Sequence, residues 1–212
     1  MKKTINKEKD LEKIIFFLKG DIFHHFDDTY FIRYNSQKGL FAINKILKKK
    51  SVKNLESSAF YYHIYIDMLF EAVGQINDRF IEKDKYTDEM KKRVKRNREE
   101  YDFNIEKYPI LYDKSIRNYI EHIISRRDVL IKERSYFGTF NFVHQDLDKE
   151  LISNLLDKRH QQGNYLNMID KTYNIIDVTG NKLVCKSVSL VDLYHELNNI
   201  NKRSNCIWKT IN

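Results

Sequence analysis

Apolar residues recur at three- and four-residue spacing over most of the chain, and that spacing predicts helices. Residues 54–83 read as one long helix: Phe60, Ile64, Asp67, Met68, Glu71 and Gln75 follow its period, with Gly74 as a weak point inside it. Residues 40–47 read as a short amphipathic helix ending in Lys48-Lys49-Lys50, charges that suit the negative end of a helix dipole. Gly20 and Gly39 are the expected breaks in this first part of the chain. Thr87 reads as an N-cap followed by the acidic first-turn residues Asp88 and Glu89. The run behind it, to residue 101, has so few apolar positions that an exposed helix and a loop both fit. Pro109 suits the first position of a helix, and 109–132 carries the cleanest amphipathic pattern in the protein. With Arg117 at zero and roughly 100° per residue, Ile116, Tyr119, Ile120, Ile123 and Ile124 occupy one arc. Arg117, Asn118, Glu121 and His122 share the opposite one. Residues 145–160 resume helical spacing through Leu147, Leu151, Leu155 and Leu156.

Near the C-terminus the period changes. Residues 172–178 and 182–188 are rich in β-formers and flank Thr179-Gly180-Asn181, a turn signal, so a hairpin is expected. Ser189-Leu190-Val191-Asp192 then reads as the capped start of a last helix running to about Asn201. The expected fold is mainly α. A helical domain over 1–165 carries a hairpin-and-helix appendage, 166–212, packed on it.

The chain's 212 residues are enough for one sizeable core, and one proline with six glycines leaves long helices uninterrupted. Hydrophobic residues at 42% and aromatics at 13% argue against a disordered chain. The net charge of +8 favours acidic partners, nucleic acid first among them. Two cysteines, Cys185 and Cys206, form no CxxC and no zinc-finger spacing. The longest apolar run near the N-terminus, Ile14-Ile15-Phe16-Phe17-Leu18, is too short for a signal peptide or a membrane span. The chemistry therefore reads as that of a cytoplasmic protein with no membrane, metal or cofactor requirement.

The candidate chemistry lies in Arg117-Asn118-Tyr119-Ile120-Glu121-His122. This string resembles the Arg-x4-6-His motif of HEPN domains, in which Asn, Asp or His often follows the arginine. It is also similar to the Arg-Asn-x-x-Glu-His signature of uncharacterised bacterial helical proteins related to that superfamily. The resemblance implies an up-and-down HEPN-like helical bundle that works as a homodimer. The implied activity is metal-independent endoribonuclease action on RNA, in a bacterial toxin–antitoxin or phage-defence system, with an antitoxin or regulatory protein as a further partner. The alternative is a helical module that binds RNA or protein without catalysis.

The residue types suit that chemistry in their own right. Cleavage of RNA by its own 2′-OH needs a base for that hydroxyl, an acid for the leaving 5′-oxygen and a cation for the phosphorus charge. His122 can serve either proton role near neutral pH. Arg117 can hold the non-bridging oxygens by paired, charge-assisted hydrogen bonds. Asn118, one turn before His122, can orient the ring or the phosphate, and Glu121 can hold Arg117 four residues away. A two-fold dimer would bring two such histidines together.

Three further stretches compete for a role. Lys91, Lys92, Arg93, Lys95, Arg96 and Arg98 form the densest basic run and are candidate RNA contacts, although a solvated helix face reads the same way. Phe60-Tyr61-Tyr62-His63-Ile64-Tyr65 could stack bases, and equally packs a core or an interface. His24-His25-Phe26-Asp27-Asp28 holds metal-ligand residue types, yet reads more simply as a polar helix end or turn. The Walker A, GxGxxG and GxSxG motifs are absent from the sequence.

Overall fold

A computed structural model describes residues 21–113, 116, 141–150, 152–153, 164–179 and 182–211. The elements within them are α1 (Asp21–Lys48), α2 (Leu55–Phe80), α3 (Asp88–Tyr101), α4 (Pro109–Tyr112), β1 (Asn141–Val143), β2 (Tyr165–Asn167), β3 (Thr172–Thr179), β4 (Lys182–Ser189) and α5 (Leu190–Ile211). The described protein is thus mainly helical, with one small mixed sheet ordered β1-β2-β3-β4. Among the described residues no helix is long and apolar enough to cross a membrane.

Helix α1 is the centre of the helical layer and packs along both α2 and α5. Gly39 does not break it, contrary to the sequence expectation, and the short helix expected at 40–47 is the last part of a 28-residue one. The reason is steric. A Cβ at Gly39 would lie 2.8 Å from Leu197 Cδ1, which would have to shift, and 3.7 Å from Ala72 Cβ, so the glycine sits where three helices pack closely. Ala42, Ile43, Ile46, Leu69, Val73 and Leu197 close the core around that point, all fully buried. A glycine inside a helix costs about 1 kcal/mol relative to alanine, and close packing offsets it here.

Capping residues set the other helix starts. Asn54 Oδ1 accepts from the Ser57 amide at 2.8 Å to open α2. Thr87 Oγ1 accepts from the Met90 amide at 3.3 Å, so the polar run from 88 to 101 is a helix. Asp102 ends it in the left-handed region, at φ 49°. The connection to α4 is then clamped by rings. Phe103 stacks on Phe80 at 4.3 Å and on Tyr108 at 5.2 Å.

The hairpin lies where the sequence put it, with Tyr173 opposite Val188 and Ile175 opposite Lys186. Ser189 Oγ accepts from the Asp192 amide at 3.2 Å and caps α5, which runs ten residues past its expected end to Ile211. The sheet is larger than expected. β2 pairs antiparallel with β3, and β1 joins parallel to β2. Phe142, Leu166, Tyr173 and Val188 from the sheet belong to the same buried cluster as α1, α2 and α5. The region expected to be one helix from Pro109 to 132 starts as predicted but stops at Tyr112. Asp113 is extended and pairs with Lys186 of β4, while Ile116 is helical and buried.

Gly39→Val should lower stability by about 2 kcal/mol through overpacking against Leu197, despite replacing a poor helix former. Urea unfolding of the two proteins checks this; an unchanged midpoint would mean that the three helices can part at this crossing.

Candidate functional site

The residues of the Arg-Asn-x-x-Glu-His string, Arg117, Asn118, Glu121 and His122, lie outside the described residues. What is described is the path that leads to them. The buried carboxylate of Glu196, in the first third of α5, accepts from the backbone amides of Ile110 and Leu111, both at 2.9 Å. These are orphan donors at the start of α4, where Pro109 has no N–H to satisfy. Burial pushes the Glu196 carboxyl above its ordinary range, while the two amides pull it back. Leu111 and Ile116 are sealed in the core, and Asp113 is tied to Lys186. The chain therefore reaches Ile116, the residue before Arg117, with both ends of the short helix held.

The basic run on α3 divides by residue type. Its arginines turn inward. Arg93 donates to both oxygens of Asp28, from Nε at 3.0 Å and from Nη2 at 2.5 Å. Arg96 Nη2 donates to the same carboxylate at 3.1 Å, and Arg79 Nε of α2 lies 3.1 Å from it. Arg98 Nε donates to the Phe80 carbonyl at 2.5 Å. The lysines turn outward. Lys95 is 80% exposed and sits 4.0 Å from Glu99, Lys91 is 4.0 Å from Glu82, and Lys92 is exposed.

Asp28 is 1% exposed, so three guanidinium groups from two helices meet one carboxylate inside the fold. The carboxylate hydrogen bond raises the Arg93 guanidinium above its ordinary value. Arg93 also donates from Nη1 to His24 Nδ1 at 3.2 Å, which leaves His24 Nε2 to donate to Glu89 at 3.1 Å. An open cleft of about 150 Å³ lies beside this cluster, bordered also by Tyr86 and Met90. Asp28 has donors on both oxygens and a full set of positive neighbours. It is an electrostatic tie between α1, α2 and α3.

The stretch 24–28 is not a turn; it lies in the first turns of α1, at the start of that helix. His25 Nε2 lies 2.9 Å from Glu100. Among the described residues no three His, Cys, Asp or Glu side chains gather as metal ligands. Within the aromatic stretch of α2, Tyr62 is fully buried against Phe142, while Phe60 and Ile64 face outward. Sequence reasoning missed the Asp28 cluster, and it missed an exposed row of rings on α1, including Tyr30, Tyr34 and Phe41. Comparison with known protein families, with curated proteins and with solved structures finds no match to this chain.

Asp28→Asn should cost roughly 3 kcal/mol of stability, because it strands three guanidinium groups around a neutral amide. Unfolding by urea measures the loss, and adding Arg93→Ala should recover part of it; additive losses would contradict a shared carboxylate. Glu196 supplies a pH-dependent term of known sign. Because its folded carboxyl titrates above the unfolded value of about 4.3, its stabilisation is full below that pH. It is lost as pH rises through the raised folded value. The stability difference between wild type and Glu196→Gln should therefore shrink as pH increases from about 4. A difference flat in pH would remove the inferred shift.

Proposed function

We propose that the protein is a HEPN-like, metal-independent endoribonuclease that cleaves RNA by 2′-OH attack, as part of a bacterial toxin or phage-defence system. The observation that carries the reading is the sequence constellation of Arg117, Asn118 and His122. The described structure supports it in two ways. The body is mainly helical, and the segment entering the motif is pinned by Glu196 and buried through Leu111 and Ile116. A positioned active centre needs such support, because small misplacements of reacting groups cost large factors in rate.

In this mechanism one His122 takes the 2′-OH proton and the His122 of a second chain protonates the leaving 5′-oxygen. Arg117 stabilises the charge on the non-bridging oxygens, Asn118 orients the phosphate or the ring, and Glu121 holds Arg117. The products are a 2′,3′-cyclic phosphate and a 5′-hydroxyl. A helical module that binds RNA or protein without cutting it is the second reading. The exposed aromatic side chains of α1 favour it, since a binding surface needs no catalytic group.

Purified protein should cleave labelled total RNA in EDTA and leave cyclic phosphate ends. Folded His122→Ala and Arg117→Ala proteins should be slower by roughly 10²-fold or more. Cleavage surviving in both would remove the motif from the mechanism. Absence of any product, with binding intact, would leave the binding module.

A further inference from the structure

The exposed face of α1 carries an unusual combination of side chains. Phe26, Tyr30, Tyr34, Phe41 and Lys45 recur at helical spacing and fall on one side of the helix. Tyr30 is 48% exposed, Tyr34 54% and Phe41 50%, in a helix whose opposite face is core. The rings of Tyr30 and Tyr34 are nearly parallel, at 14° and 6.3 Å. Trp208 of α5, the only tryptophan in the chain, extends the row 6.2 Å from Tyr30. Such a surface costs solvation unless something covers its rings.

Charge identifies the cover. Residues 29–55 contain seven lysines and arginines and no aspartate or glutamate. Among the described residues, Lys38 meets Glu71 at 2.8 Å, whereas three other cations of this segment meet rings. Arg33 lies 5.3 Å over Trp208, Lys45 5.3 Å over Phe41, and Lys49 4.5 Å over Tyr61. A partner must therefore offer regularly spaced negative charge together with flat faces. Single-stranded RNA offers both: phosphates for the cations and unstacked bases for the rings. Duplex RNA hides its base faces. A second copy of the chain, docked by two-fold symmetry, would set the seven-cation segment against itself.

We propose that the Tyr30, Tyr34 and Phe41 face of α1, with Arg33, Lys45 and Trp208 beside it, is a docking track for single-stranded RNA. The track from Phe26 to Lys45 is roughly 28 Å long at 1.5 Å per residue. It takes the place expected for the α3 run, whose arginines are turned to Asp28 and to the Phe80 carbonyl. The inference rests on the reading of the protein as RNA-directed. It does not depend on cleavage.

The probe is a fluorescent uridine 12-mer with 2′-O-methyl riboses, which 2′-OH attack cannot cut. Titrated into the full chain, it should raise anisotropy and quench Trp208. Tyr30→Ala with Tyr34→Ala should weaken binding roughly ten-fold or more. Lys45→Gln with Lys48→Gln should lower the salt slope by about 1.4, two phosphate contacts at about 0.7 each. Lys92→Gln with Lys95→Gln, on α3, should change neither. All six residues are exposed, and circular dichroism verifies the folds. Binding without cleavage of natural RNA would sustain the track and sink the nuclease. Binding lost only in the α3 variant, or no binding by the wild type, would overturn the track. So would a dimer that Tyr30→Ala with Tyr34→Ala dissolves while leaving RNA affinity unchanged.

Discussion

Three guanidinium groups and one buried carboxylate constrain how the first three helices can sit. Asp28 is on α1, Arg79 on α2, and Arg93 and Arg96 on α3, so loss of the single carboxylate would strand all three guanidinium groups. Ion pairs this enclosed are poor sources of net stability, since desolvation offsets much of the attraction. Their value lies in register. An apolar contact between α1 and α3 would tolerate sliding, whereas a bidentate arginine on a saturated carboxylate fixes both helices along and about their axes. The apolar crossing at Gly39, Ala72 and Leu197 then determines how closely the far half of α1 is approached.

The same tie redistributes the charge that a partner meets. A chain of net charge +8 could present its cations anywhere, and the sequence is densest at 91–98. The fold spends that density internally, because arginine makes the planar, bidentate contacts that a buried carboxylate requires and lysine does not. What remains outward on α3 is lysine interleaved with Glu89 and Glu99. Helix α1 has the opposite allotment: its acids, Asp21, Asp27 and Asp28, lie in its first turns, and everything beyond them is neutral or cationic to Lys53. Among the described residues of α1 and α3, the outward cations are thus those that the buried carboxylate does not take up.

Local signals were legible in the sequence and long-range ones were not. The hairpin was readable because β-formers flank a Thr-Gly-Asn turn signal, α2 because of its apolar period, and the start of α3 because of its Thr87 cap, whereas the rest of α3 has too few apolar positions to tell helix from loop. The continuity of α1 was hidden, since a glycine reads as a break until the neighbour that needs the gap, Leu197, is known. Three-residue strands such as β1 and β2 are too short to show a period. Asp28 carried no signal because its partners Arg93 and Arg96 lie 65 and 68 residues away. The α1 rings follow helical spacing, which in sequence is indistinguishable from a core face. The motif residues Arg117, Asn118 and His122 remain a sequence argument.

Helix α5 contributes Glu196 in its first third, where it pins the start of α4, and Trp208 near its end, where it joins the row on α1. Between them, Asn201 and Asn205 bond to Ser36 and Arg33 of α1. A strand lying on α1 would therefore press on the helix that also fixes the entry to the Arg117–His122 segment. Rigid transmission along one packed helix is a short path for such coupling, because close-packed side chains shift together. In the nuclease proposed above, stacked bases on α1 would supply affinity without the catalytic groups having to bind the scissile phosphate tightly.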